Sequence, residues 1–178
     1  MAKFTDKITK RIQAFIEAQK LFFVATAPKN GRINLSPKGM DSFRVLNEKT
    51  VAWLSVTGSG NETSAHLLEN GKMTIMMCGF EGAPNILRLY GTAIEILPKD
   101  EKWADLAANF PQLPGTRQIF VMTIDSTQSS CGMSIPFYEY KGERNELNDW
   151  AKEKSEEELQ TYIKERNSES IDGLATKK

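Results

Sequence analysis

Six short segments of β character, mostly joined by turns rather than by helices, constrain this chain more than any other feature. Five are apolar and rich in aromatic and β-branched residues: 21–27 (LFFVATA), 51–56 (VAWLSV), 73–80 (MTIMMCGF), 86–97 (ILRLYGTAIEIL) and 118–124 (QIFVMTI). The sixth, 32–35, alternates polar and apolar after the turn Pro28-Lys29-Asn30-Gly31 and reads as the second arm of a hairpin. Parallel neighbours need a crossover of a dozen or more residues, usually a helix. Most connections here are shorter. The pattern predicts a mainly β, α+β fold: an antiparallel β-barrel with peripheral helices.

The remaining segments decorate that frame. Phe4, Ile8, Ile12, Phe15 and Ile16 recur at helical spacing and predict an amphipathic helix that opens the chain. Ser36-Pro37-Lys38-Gly39 ends or bulges the hairpin arm, because proline donates no ladder hydrogen bond. Asn61 reads as the N-cap of a helix through TSAHLLEN that Asn70-Gly71 stops. Gly91, inside the long segment 86–97, marks a bulge or a barrel bend. Residues 98–110 return to helical spacing through Trp103, Leu106, Ala107 and Phe110. Beyond Tyr140 the composition shifts, and 15 of the 29 residues from 141 to 169 are charged. The expected organisation is a barrel over 1–140 and a charged helical extension over 141–178 packed on it. Residues 168–178 read as a loosely held terminus, except for Ile171 and Leu174.

Composition removes several function classes. Lys plus Arg and Asp plus Glu are both 23, and a net charge of zero argues against general binding to nucleic acid or anionic membrane. No stretch approaches the ~20 apolar residues of a membrane span, and the amino terminus lacks the apolar core of a signal peptide. Two cysteines, Cys78 and Cys131, make no disulfide framework, and the single histidine, His66, builds no histidine-rich metal site. The expected compartment is the cytoplasm.

Chemistry concentrates in the strand, glycine-containing loop and helix start from 51 to 71. Such a loop aims backbone N–H groups at an anion, and the helix dipole favours negative charge there. Ser59, Asn61, Thr63 and Ser64 add neutral donors, so a phosphate is the natural ligand; a capped helix after a flexible turn explains the same letters. A P-loop is excluded, because no Lys lies between Lys49 and Lys72. Gly58-x-Gly60-x-x-Thr63 mimics the dinucleotide fingerprint in part, but a hairpin follows where a βαβ unit belongs. Lys38, at a strand end beside Ser36, suits a phosphate or an electron-rich ring, or is a surface lysine on a turn. Arg88 and Arg117 are equally ambiguous between solvent and a polar pocket. Cys131, among the small residues of SSCG, has no second histidine to activate it.

Together these segments resemble the pyridoxamine 5'-phosphate oxidase-like FMN-binding split barrels, from about residue 15 to 124. NLSPKGMD, with its Lys38-x-x-Asp41 spacing, VAWLSV leading into TGSGNETSAHLLENGK, and ILRLYG carry the resemblance; SSCGMSIP, ERNELNDWAKEK and NSESIDGL are similar to a subgroup described only as FMN-binding or oxidase-related. The resemblance implies a split barrel that forms a homodimer with FMN between the subunits. It puts Asn34, Ser36 and Lys38 on the strand against the flavin ring and ribityl chain. Thr57, Gly58, Asn61, Thr63 and Ser64 then surround the phosphate, and Arg88 lies on the strand that completes the site. Oxidase members carry positive side chains at the helix start, where this chain has Thr63-Ser64. They also carry a carboxy-terminal Arg-x-His element, and this chain has no histidine after His66. The implied function is FMN binding with flavin-dependent redox chemistry on a small molecule, and not efficient pyridoxamine 5'-phosphate oxidation. The alternative is a flavin-binding or carrier protein without turnover. No residue is assigned as a catalytic acid or base.

Overall fold

The computed structural model describes residues 2–177, so the outermost residues of the two expected segments, Met1 and Lys178, lie outside the described residues. The strands are β1 (Lys3–Thr5), β2 (Phe22–Thr26), β3 (Asn34–Lys38), β4 (Phe43–Asn47), β5 (Thr50–Val56), β6 (Lys72–Cys78), β7 (Asn85–Ile96) and β8 (Thr116–Cys131). The helices are α1 (Lys10–Ala18), α2 (Glu62–Asn70), α3 (Trp103–Ala107), α4 (Glu146–Lys152) and α5 (Glu156–Arg166). The strands form one sheet in the order β3-β2-β6-β7-β8-β5-β4, with β1 added to β8. Every pairing is antiparallel. The path has two ends, β3 and β4, so the barrel is split rather than closed, as the resemblance implied.

The core explains why β5 and β8 read as continuous apolar runs. Both faces of β5 are buried: Val51 and Trp53 join the main core with Phe22, Val24, Ile75, Leu89, Phe120 and Met122. Ala52 and Leu54, on the opposite face, pack with Ile96, Phe110 and Ile119 beneath α3. α1 closes the first cluster with Ile12 and Ile16, and the Thr9 hydroxyl accepts the Ile12 N–H as N-cap.

Five sequence expectations shift. The opening helix starts at Lys10, not near Phe4, because residues 3–5 pair with β8 and leave Phe4 exposed. Pro37 does not end β3; it sits inside it, and an edge strand tolerates a missing donor on its open side. β4 had no counterpart in the sequence reading, and β8 runs seven residues beyond Ile124 to Cys131. The terminus is tied down: Asn167, Ser170 and Thr176 are buried, whereas Ile171 is exposed. The bulge expected at Gly91 is present as a register shift between Tyr90 and Gly91 against β8.

Candidate functional site

A cleft of about 770 Å³ opens where β3, β5 and β8 meet the loop before α2, within the size range of small-molecule sites. β3 contributes mainly one face of its pleat, and Leu35 of the other face also lines the cleft. Asn34, Ser36 and Lys38 are half-buried and line the cleft, alternating with exposed Leu35 and Pro37. The Ser36 hydroxyl donates to Asn34 Oδ1 at 2.9 Å. β5 adds Trp53 and Ser55, β8 adds Arg117 and Phe120, and the loop adds Gly58, Ser59, Gly60 and Asn61, followed by Glu62 and Thr63 of α2. The fourth wall is the carboxy-terminal segment, through Arg166, Glu169, Ser170 and Ile171.

Besides the exposed Arg32 and Arg166, two less accessible cations face this space. Lys38 Nζ lies 5.3 Å from the Trp53 ring centroid, and Trp53 stacks on Phe120 at 4.5 Å. Arg117 is buried and held by three neutral acceptors: Asn167 Oδ1 at 2.5 Å, Gly60 O at 3.3 Å and Ser55 Oγ at 3.3 Å. Neither cation forms an ion pair among the described residues. Burial and the Arg117 charge push Lys38 down to about 8. Burial lowers Arg117 to about 10, opposed by Glu95 and Tyr162. Arg117 therefore stays charged at neutral pH, while Lys38 exchanges its proton just above it.

The Lys38 shift has a defined sign. Between about 8 and its ordinary 10.5 the unfolded chain binds more protons here than the ligand-free fold, so the Lys38 contribution to stability rises with pH across that window. The stability advantage of Lys38→Met over the natural protein, read from urea unfolding, is expected to shrink between pH 7.5 and 10. An advantage that grows with pH contradicts the buried, unpaired ammonium.

The other residues singled out from the sequence fall elsewhere. Asn61 stands at the N-cap position, but its side chain makes no cap bond; its amide exchanges hydrogen bonds with Gln118, at 3.2 and 2.6 Å. Thr57 is fully buried and its hydroxyl donates to Gly115 O at 2.9 Å. Ser64 is also buried and donates to Glu95 Oε2 at 2.7 Å. Burial raises the Glu95 carboxyl, with the Ser64 hydrogen bond opposing. Arg88 lies outside the cleft lining and reaches Ser130 Oγ at 3.4 Å. Ser129, Ser130 and Cys131 end β8 and line a separate cavity with Arg11 and Pro84. The structure thus brings together Asn34, Ser36, Lys38, Gly58, Asn61 and Thr63, and leaves Thr57, Ser64 and Arg88 out of this space.

Sequence reasoning left Arg117 undecided and did not single out Trp53, Ser55 or Asn167 for the site. Arg117 carries one local signal, a cation followed by the polar Gln118 at the start of an apolar strand. Nothing local marks Asn167, whose partners Gly58 and Arg117 are 109 and 50 residues away.

An open antiparallel sheet with a polar cleft between β3, β5 and β8 defines a split-barrel protein. The family model described as pyridoxamine 5'-phosphate oxidase matches residues 8–131. The chain is 36% identical over 192 residues to the pyridoxamine 5'-phosphate oxidase family protein ustO of Aspergillus flavus, covering 98% of this chain and 77% of that protein. Among solved structures it is similar to HupZ of Group A Streptococcus (TM-score 0.53, 24% identity, 66% of this chain and 89% of that one). It is also similar to the FAD binding protein of Mycobacterium smegmatis (TM-score 0.52, 16% identity, 72% and 97%). The chain belongs to the pyridoxamine 5'-phosphate oxidase family.

Proposed function

We propose that this protein binds FMN in the cleft and uses it for an oxidoreduction of a small molecule other than pyridoxamine 5'-phosphate. One observation carries the reading: a half-buried lysine and a buried arginine, neither ion-paired among the described residues, beside an aromatic pair, in a cleft of flavin size. Two buried donors on its walls, Arg117 Nε–H and Trp53 Nε1–H, also lack an acceptor among the described residues. An unmade buried hydrogen bond costs about 1–3 kcal/mol, and an oxygen-rich ligand offsets that. A bound flavin would supply hydride and single-electron transfer. The chain's own residues would bind and orient it: Asn34, Ser36 and Lys38 along the ring and ribityl chain, and Gly58, Asn61 and Thr63 towards the phosphate. Lys38 would stabilise negative charge on a reduced ring. Cytoplasmic residence belongs to the same proposal; no described helix is long and apolar enough to cross a membrane.

FMN is expected to bind at least about tenfold more tightly than riboflavin, because only FMN places a dianion in the cleft. Titration of flavin fluorescence checks this, and equal affinities refute the placement. Bleaching of bound flavin by NADH or NADPH separates an enzyme from a carrier.

The homodimer is the second part of the reading. Met133 and Phe137 are each 83% exposed, and Tyr138 and Tyr140 add to one apolar stretch after β8. Contiguous apolar surface of this kind marks an interface, and two-fold dimers are its commonest form. Light scattering at micromolar concentration is expected to give twice the 20.0 kDa chain mass, and Phe137→Asp is expected to shift it towards one. A monomer that still binds FMN refutes a shared site.

A further inference from the structure

The start of α2 lacks what a phosphate subsite needs most, a positive charge of its own. No Lys or Arg lies between Lys49 and Lys72. Asn61 spends its amide on Gln118, so the first turn has no side-chain cap. Glu62, the first helical residue, turns its carboxylate to the carboxy-terminal segment and accepts the Ile171 N–H at 2.9 Å. What remains is a helix N-terminus with uncapped N–H groups and no counter-charge from its own element.

The charge stands on another strand. Arg117 Nη1 donates to Gly60 O, within the loop that leads into α2. Three of its five N–H donors are taken, all by neutral acceptors. Its Nε–H is buried with no acceptor among the described residues. A guanidinium nine-tenths buried, without a carboxylate bonded to it, costs desolvation that neutral acceptors offset only in part. A phosphate oxygen is the acceptor that fits the free donors.

The orientation of that guanidinium is set from the far end of the chain. Asn167, 1% exposed, takes an Arg117 donor on Oδ1 and gives its Nδ2–H to Gly58 O at 3.0 Å. Its own carbonyl accepts from Thr176 Oγ1 at 2.8 Å, which locks the residue into the terminal segment. One amide therefore ties together the arginine, the loop and the chain's end.

We propose that Arg117, aligned by the positioning residue Asn167, supplies the positive charge of a phosphomonoester subsite at the start of α2, which makes the carboxy-terminal segment part of the binding site. This rests on the flavin reading for the identity of the phosphomonoester, but not for the presence of the subsite.

The test compares FMN with riboflavin on the full-length protein. Arg117→Gln is expected to lower the FMN preference about ten- to a hundredfold, the worth of a charge-assisted pair, with riboflavin affinity unchanged. Arg117→Lys is expected to restore part of it. Asn167→Asp places a carboxylate against the guanidinium and is expected to reduce the preference likewise. A purely structural Arg117 or Asn167 weakens both flavins alike, because both need the same folded cleft; an unchanged preference in folded variants overturns the proposal. If Arg117→Gln does not fold, Asn167→Asp and Arg117→Lys decide. If the natural protein binds neither flavin, the flavin reading fails, and inorganic phosphate becomes the probe. A rise in melting temperature with phosphate that Asn167→Asp abolishes upholds the subsite, and an equal rise or none overturns it.

Discussion

Lys38→Glu is expected to weaken FMN binding by about 10²- to 10⁴-fold. The substitution removes the ammonium at the end of β3 and puts a carboxylate within reach of the field of Arg117, the second contributor to the Lys38 shift. The new carboxylate opposes the field of Arg117, so the contributions of both Lys38 and Arg117 fall in one change. Hydrogen bonds to charged groups are worth about 1.5–3 kcal/mol each, and every 1.4 kcal/mol is about tenfold in affinity. Lys38→Met removes one contribution only and is expected to cost about ten- to a hundredfold. β3 is an edge strand and Lys38 its last residue, so the fold absorbs both changes. Calorimetric titration with FMN checks the pair. Binding by Lys38→Glu within tenfold of the natural protein removes the flavin from this cleft.

Gly91→Ala is expected to destabilise the fold by about 3 kcal/mol or more, at or above the upper end of overpacking costs. A Cβ at residue 91 would lie 1.9 Å from the Thr123 carbonyl oxygen and 2.9 Å from its carbon. Both are backbone atoms of β8, so no flexible side chain is present to move aside. The only relief is to shift the β7–β8 ladder at its bulge. Urea unfolding measures the loss; a change below 1 kcal/mol means that the bulge relaxes freely. Gly58→Ala is the control, because its Cβ meets nothing within 4 Å.

The strand framework was legible because its signals are local. Alternation and β-branched runs report which backbone pleats against a core, and the turn residues report where it reverses. The family resemblance, not the alternation, pointed to Asn34, Ser36 and Lys38, and the structure sets these three with period two along β3. Local signals failed where a distant partner decided. Phe4 looks like the first residue of a helix stripe, yet pairing with Gln128 makes it part of a strand. The hydroxyls of Thr57 and Ser64 look like ligand donors, yet Gly115 and Glu95 take them.

By itself, then, the sequence determined an antiparallel β framework, the glycine loop before a helix and the lysine that ends an edge strand. Each depends on residues within one turn or one strand of each other. Tertiary structure alone decided which polar groups remain free to meet a ligand. Arg117, Ser55, Gly60 and Asn167 are spread over 112 residues and share one hydrogen-bonded cluster. A buried polar atom is either satisfied by the fold or left for a ligand, and which of the two holds depends on what the rest of the chain brings beside it.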